Sequence, residues 1–333
     1  MSVELERRRA VQKDPIAQYE RMIEIREFEG QINGLFASGS IRGTTHLCLG
    51  QEALAVGLAS VLRPTDIVSA TYRGHGIALA LGLSPESVLG EIMGKTIGCC
   101  GGVGGSMHLS NMELGLLPTS AIIGGGIPIA AGVALSFQVR KTDDVAVAVF
   151  GDGATNIGAF HETLNLAAIW NLPVVFICDN NVYGEYSRIN TTTPLEDLHM
   201  RADSYKMPHF ALDGMDIAEV QKGVTEAVIR ARSNGGPTLI EAKTYRFAGH
   251  SRADQALYRP EGELEKWQKQ DPIKLTEEAL VASGALNAQK ITKIKSEMKT
   301  TIEKVVATCQ DSPEPSLASM FQNIFTPANV GRL

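Results

Sequence analysis

The chain has 333 residues, 44% hydrophobic and 20% charged, enough to bury a core without disulfide or metal staples. A formal net charge of −6 argues against nucleic acid or an anionic membrane as the main partner, and no apolar stretch reaches transmembrane length. Five scattered cysteines without a C-x-x-C spacing, and an N-terminus with no apolar signal core and with acidic residues that speak against a transit peptide, point to a reducing compartment, the cytoplasm.

Along the chain, Ile16, Tyr19, Met22, Ile23, Ile25, Phe28, Ile32 and Leu35 recur at helical spacing and predict an amphipathic helix over 14–38. From 39 to 126, helical stretches are broken by glycine-rich turns, the densest between Gly98 and Ser106. The pattern then alternates. A buried helix is expected over 128–139, an apolar strand over 145–150, a helix over 159–170, a second strand over 173–178, a helix over 217–233 and a third strand over 237–244. Strands apolar throughout and joined by helices mean an α/β fold, with a central parallel sheet covered on both faces. Ligands of such sheets bind beyond the carboxyl ends of the strands. No internal repeat is present. We read 14–260 as one α/β unit with an N-terminal helical arm, and 261–333 as a helical tail.

Two nucleotide motifs fail. Gly94-Lys95-Thr96 looks like the end of a phosphate-binding loop, but the first glycine of that motif would fall at Leu89. No G-x-G-x-x-G follows any strand. Gly151-Asp152-Gly153 differs through its position, directly after the first apolar strand and before a helix. The second strand runs into Asp179-Asn180-Asn181. Neighbouring parallel strands would set Asp152 and Asn181 side by side at one sheet edge. A carboxylate, an amide oxygen and a main-chain carbonyl make a hard oxygen site of the kind Mg²⁺ shares with a diphosphate. The flanking glycines let N–H groups reach the phosphates at the following helix N-terminus. Taken alone, the motif also fits a sharp turn with a helix-capping Asp.

This stretch resembles the thiamine diphosphate motif, GDG followed by a helix, a strand and NN. Gly43-Thr-Thr-His-Leu47 with Gly50-Gln-Glu-Ala53, Tyr72-Arg-Gly-His-Gly76, Gly104-Gly-Ser-Met-His108 and Tyr245-Arg-Phe-Ala-Gly-His-Ser251 stand in order around it. Together, from about Ile16 to Ile273, they resemble the alpha subunit of the first component of 2-oxo acid and acetoin dehydrogenase complexes. The resemblance implies that Asp152, Asn181 and the carbonyl of Tyr183 hold Mg²⁺. Tyr72, Arg73 and His250, with Gly151, Gly153 and Ala154, would hold the diphosphate of thiamine diphosphate. Ala121 and Ile123 would face the aminopyrimidine, and His46 and His250 the reactive carbon. It further implies a beta subunit carrying the activating glutamate, two alpha and two beta chains in all, and a lipoyl-bearing acyltransferase that receives the product. The segment from Gly98 to Ser106 is expected at the interface between the chains.

The remaining histidines have ordinary readings beside these. His46 and His75 also fit satisfied structural histidines, His108 a brace for the glycine-rich turn, His161 helix packing, and His199 and His209 loops. Other function classes are a regulatory subunit that has kept its cofactor pocket and a single-chain thiamine enzyme; no second α/β unit supports the latter. The substrate turns on Glu185. Pyruvate relatives carry a Met there, branched-chain relatives an Ile, and Gly-Glu is familiar in acetoin relatives. A carboxylate beside the substrate repels a 2-oxo acid by on the order of 1–4 kcal/mol, whereas acetoin is neutral. Arg188, three residues on, could neutralise it, and Glu185 also fits a solvated loop residue. Acetoin is the expected substrate, with pyruvate or a branched 2-oxo acid as the alternative.

Overall fold

The computed structural model describes residues 2–321. Helix α1 (Val3–Lys13) is capped by the Ser2 hydroxyl, and α2 (Pro15–Ala37) starts where Asp14 caps it and Pro15 fixes the first turn. Then follow α3 (Glu52–Val61), β1 (Ile67–Ser69), α4 (His75–Ala80), α5 (Pro85–Ile92), α6 (Gly126–Arg140), β2 (Ala146–Gly151), α7 (Gly158–Ile169) and β3 (Val174–Asn180). A short hairpin, β4 (Tyr183–Gly184) and β5 (Ser187–Arg188), leads to β6 (His209–Asp213), α8 (Ile217–Arg232) and β7 (Thr238–Lys243). The chain ends in α9 (Glu263–Gln268), α10 (Pro272–Ala282) and α11 (Ala288–Asp311).

Five strands form one parallel sheet in the order β1-β2-β3-β7-β6. Its two faces are buried separately. Val147, Val175, Ile177 and Ile240 point into a core with α2, α3 and α8, while Ala148, Phe150, Phe176 and Cys178 point into a second core with α6 and α7. Alternate residues serve opposite faces, which is why the strands read as unbroken apolar runs. Ile302, Val305 and Cys309 of α11 join the first core, against α2 and α5. No helix among the described residues is long and apolar enough to cross a membrane.

Three expectations change. Helix α2 is not amphipathic but interior: Arg21, Glu24 and Glu29 are buried along with its apolar residues, because α1, α3, α10 and α11 surround it. Its polar groups find partners there, as when Arg21 bonds the Leu79 carbonyl and Glu24 pairs with Arg7 at 2.7 Å. Helix α6 is buried on one face only, with Ile129 and Val139 on the other 53% and 74% exposed. His209 starts edge strand β6 and His199 lies in a 3-10 turn, so neither is in irregular loop.

The α3–α8 contact gives a sharp stability test. A Cβ at Gly57 would lie 2.6 Å from Cγ1 of Val220 and 2.9 Å from its Cβ. Gly→Ala in an open helix gains about 0.5–1 kcal/mol. Here overpacking reverses the sign, and Gly57→Ala should lose about 1–3 kcal/mol, read as a lower urea midpoint.

Candidate active site

The β2–β3 register builds the site. Gly151 pairs with Asp179, so both strands leave the sheet at the same edge, and Asp152 and Asn181 emerge on neighbouring strands. Both are buried, at 2% and 7% exposure. Asp152 Oδ2 and Asn181 Oδ1 have no hydrogen-bond partner in the chain. Two buried oxygens without donors are costly to fold unless a cation or another donor meets them. The turn carrying Asn181 is fixed from behind: Asn180 Nδ2 donates to Glu241 at 2.7 Å, and Asn180 Oδ1 accepts the Val182 N–H at 3.1 Å. Tyr183, 3% exposed, follows at the base of the hairpin. A Cβ on Gly151 would enter open space, and one on Gly153 would lie 3.5 Å from Cα of Gly184. The GDG turn thus presents bare backbone.

Beyond this edge lies a cavity of about 560 Å³. It is lined by every residue singled out from the sequence: His46, Tyr72, Arg73, Ala121, Ile123, Gly151, Asp152, Gly153, Ala154, Asn181, Tyr183, Glu185 and His250. The rings of His46 and His250 sit 5.0 Å apart, with Tyr72 4.4 Å from His46. Arg73 holds both histidine segments, donating to the carbonyls of Leu47 at 2.7 Å and His250 at 2.8 Å. Asp254 fixes the second segment through the His250 N–H at 2.6 Å.

Burial, with charge second, sets the protonation states. Burial, then Arg73, pushes His46 down to about 3, and burial with Arg73 and Arg246 pushes His250 down to about 4. Both are therefore neutral near pH 7. Burial, then the neighbouring Asp179, pushes Asp152 up to about 7.

Arg246 and Asp179 were not singled out from the sequence. Arg246 lines the cavity, donating to Tyr258 at 2.7 Å and to the Glu185 carbonyl at 3.1 Å. Its signal was its place in Tyr245-Arg-Phe-Ala-Gly-His250, four residues before a site histidine. Asp179 is held by Gln51 and Thr244, both at 2.5 Å. His75, His108 and His161 lie outside the cavity lining. His75 is fully buried, His108 Nδ1 lies 3.0 Å from the Gly104 carbonyl, and His161 pairs with Tyr205 at 2.8 Å. Arg188 does not neutralise Glu185; it pairs with Glu263.

The family described as Dehydrogenase E1 component matches residues 20–318. The chain belongs to the dehydrogenase E1 component family. E1 components of this kind are thiamine diphosphate-dependent oxidoreductases, and the oxygen pair, the bare backbone and the cationic cavity wall fit a metal-bound diphosphate. The chain is 40% identical over 314 residues to the alpha subunit of acetoin:2,6-dichlorophenolindophenol oxidoreductase of Bacillus subtilis, covering 94% of each chain. It is 36% identical over 308 residues to the subunit of the same name from Cupriavidus necator, covering 92% of each. It is 38% identical over 314 residues to the chloroplastic pyruvate dehydrogenase E1 component subunit alpha-3 of Arabidopsis thaliana, covering 92% of this E1 chain and 73% of that one.

Asp152 makes the metal-free E1 chain pH-sensitive. Its folded pKa of about 7 lies above its ordinary 3.8, so the folded state favours the protonated form. That contribution is full below about pH 4 and is lost as the pH rises through about 7. Relative to the parent, metal-free Asp152→Asn should gain about 2–4 kcal/mol between pH 4 and pH 8 in thermal unfolding.

Proposed function

We propose that this alpha subunit acts on acetoin, with Mg²⁺ and thiamine diphosphate, in an assembly of two alpha and two beta chains, and that the two-carbon product passes to a lipoyl group on an acyltransferase. The observation that carries the substrate is Glu185. It occupies the tip of the β4–β5 hairpin with φ of +54°, a conformation that a side chain bearing a Cβ adopts at a cost of about 1 kcal/mol or more. It lines the cavity, and no ion pair to it is present among the described residues. Glu185 is exposed, and its strained backbone at the cavity lining supports a role for it in the site. A carboxylate without an ion-pair partner there favours a neutral hydroxyketone over a 2-oxo acid anion. Pyruvate is the second reading, favoured by the similar identity to the Arabidopsis thaliana pyruvate dehydrogenase subunit.

In this reading Asp152 Oδ2, Asn181 Oδ1 and the Tyr183 carbonyl hold the metal. Arg73, Arg246 and the Gly153 and Ala154 N–H groups neutralise the diphosphate. When bound, thiamine diphosphate supplies a nucleophilic carbon and an electron sink for carbon–carbon cleavage. The chain's own work is to orient and to move protons. His46 and His250, neutral and 5.0 Å apart, are placed to hand protons to and from substrate oxygens. Tyr72 against His46 fixes the first ring, and Arg73 with Asp254 fixes the segment of the second. Outside the cavity, Ile129, Val139, Ile169 and Trp170 expose apolar surface on α6 and α7 and just beyond, which supports partner chains covering that side.

Calorimetry checks the metal. Asp152→Ala should abolish Mg²⁺-dependent cofactor binding in the assembled protein, and Asn181→Ala should weaken it less, since an amide oxygen carries no net charge. Wild-type affinity in Asp152→Ala would sink this assignment. The substrate is tested with Glu185→Met, assembled with its beta subunit and assayed on acetoin and pyruvate. The ratio of specificity constants should move toward pyruvate by on the order of tenfold.

A further inference from the structure

The hairpin carries two opposite charges, Glu185 at its tip and Arg188 at its base, and they do not pair. Arg188 turns to Glu263, the first residue of α9, and donates to the Tyr183 hydroxyl at 2.7 Å. Its guanidinium lies 5.4 Å from the Tyr183 ring. The Glu263 side chain is 10% exposed and also accepts from the Tyr183 hydroxyl at 2.6 Å and the Tyr245 hydroxyl at 3.0 Å. Tyr245 in turn stacks on Trp267, one turn further along α9, at 5.2 Å and 9°. Exposed ion pairs contribute little. Here the Arg188 side chain is 38% exposed but Glu263 is enclosed, and three donors converge on its carboxylate, so the pair is held from the Glu263 side.

We propose that Glu263 is a specificity-positioning residue: by fixing Arg188 at the hairpin base, it keeps that cation off the Glu185 carboxylate and so sets the preference for neutral over anionic substrates. The inference rests on the reading of the cavity as the substrate site. It adds that the charge there is controlled from α9, whose residues do not line the cavity. An arginine released from Glu263 has Glu185 as a partner within the same six-residue hairpin.

The test uses the alpha subunit assembled with its beta subunit, with specificity constants for acetoin and pyruvate. Glu263→Gln keeps the shape and still accepts from Tyr183 and Tyr245, but it gives Arg188 no charge to pair with. The acetoin-to-pyruvate ratio should fall on the order of tenfold, through a rise in the pyruvate constant. Adding Arg188→Met to Glu263→Gln should restore the parent ratio, and Arg188→Met alone should leave it unchanged. A merely structural role predicts that Glu263→Gln lowers both constants by one factor with no rescue, and that result overturns the proposal. So does a ratio that rises in Arg188→Met alone, which would mean that Arg188 already offsets Glu185. Should Glu263→Gln fail to assemble, Glu263→Asp takes its place, with a smaller shift expected in the same direction. If Glu185→Met leaves the ratio unchanged, the substrate-site reading itself fails. If Glu185→Met shifts it and Glu263→Gln does not, only the role of Glu263 is lost.

Discussion

The walls of the cavity come from segments far apart in the chain, and one buried carboxylate joins three of them. Glu29 on α2 is fully buried, and no lysine or arginine bonds to it among the described residues. Its Oε1 meets Nδ1 of His75 at 3.0 Å, the Cys48 thiol at 3.1 Å and the Cys48 N–H at 3.4 Å. The other ring nitrogen of His75 lies 2.9 Å from the Ser106 hydroxyl. This ties together the segment behind His46, the turn of Tyr72 and Arg73, and the loop that ends at Met107. Leaving a buried carboxylate without one of its hydrogen-bond donors costs about 1–3 kcal/mol or more, so each of these contacts matters to the node. The node also explains why α2 lies inside the protein: it must bring Glu29 to the back of the cavity, and other helices then cover its remaining faces.

A second carboxylate organises the glycine-rich loop beside it. Glu91, fully buried at the end of α5, accepts the N–H groups of Cys100 and Gly102, each at 2.8 Å, on one oxygen. The other oxygen accepts Gly104 at 2.6 Å and Gly105 at 3.1 Å. Wrapping a backbone around one carboxylate needs positive φ and bare Cα atoms. Gly102 has φ of +79°, and a Cβ there would lie 2.6 Å from the Lys95 carbonyl. These glycines are required inside the chain, whatever they meet outside it.

Much of the site was legible because its chemistry sits at strand ends, where an apolar run stops and a polar signature starts. Gly151-Asp152-Gly153 and Asn180-Asn181 each follow such a run, and parallel pairing leaves little freedom in where they go. Strands β1 and β6 were not legible. The first has three residues, too few for a period, and the second is an edge strand whose Ala211 and Asp213 face solvent. The partners of buried charges were hidden for a different reason. Glu29 with His75, and Arg188 with Glu263, are 46 and 75 residues apart, and spacing along a chain carries no signal for such pairs. Interior helix α2 was misread on the same ground, since its buried Arg21 and Glu24 have the composition of a solvated face until their partners are known.

The charges around the cavity divide into two ends with opposite needs. At the β2–β3 edge, Asp152 and Asp179 repel each other, and burial with that repulsion lifts Asp152 to about 7. On the other wall, Arg73 is pulled down to about 10 by burial and by Arg246. Each end alone is unfavourable, as like charges in a low dielectric must be. A divalent cation relieves the first end and a polyanion the second, and a metal diphosphate brings both in one ligand with the geometry of its own coordination. The two neutral histidines follow from burial first and then from the same cationic wall, which keeps further positive charge off them. In the proposed reading, the arrangement that strains the bare chain is the one a metal diphosphate would relieve, and it keeps neutral the two histidines assigned to proton transfer.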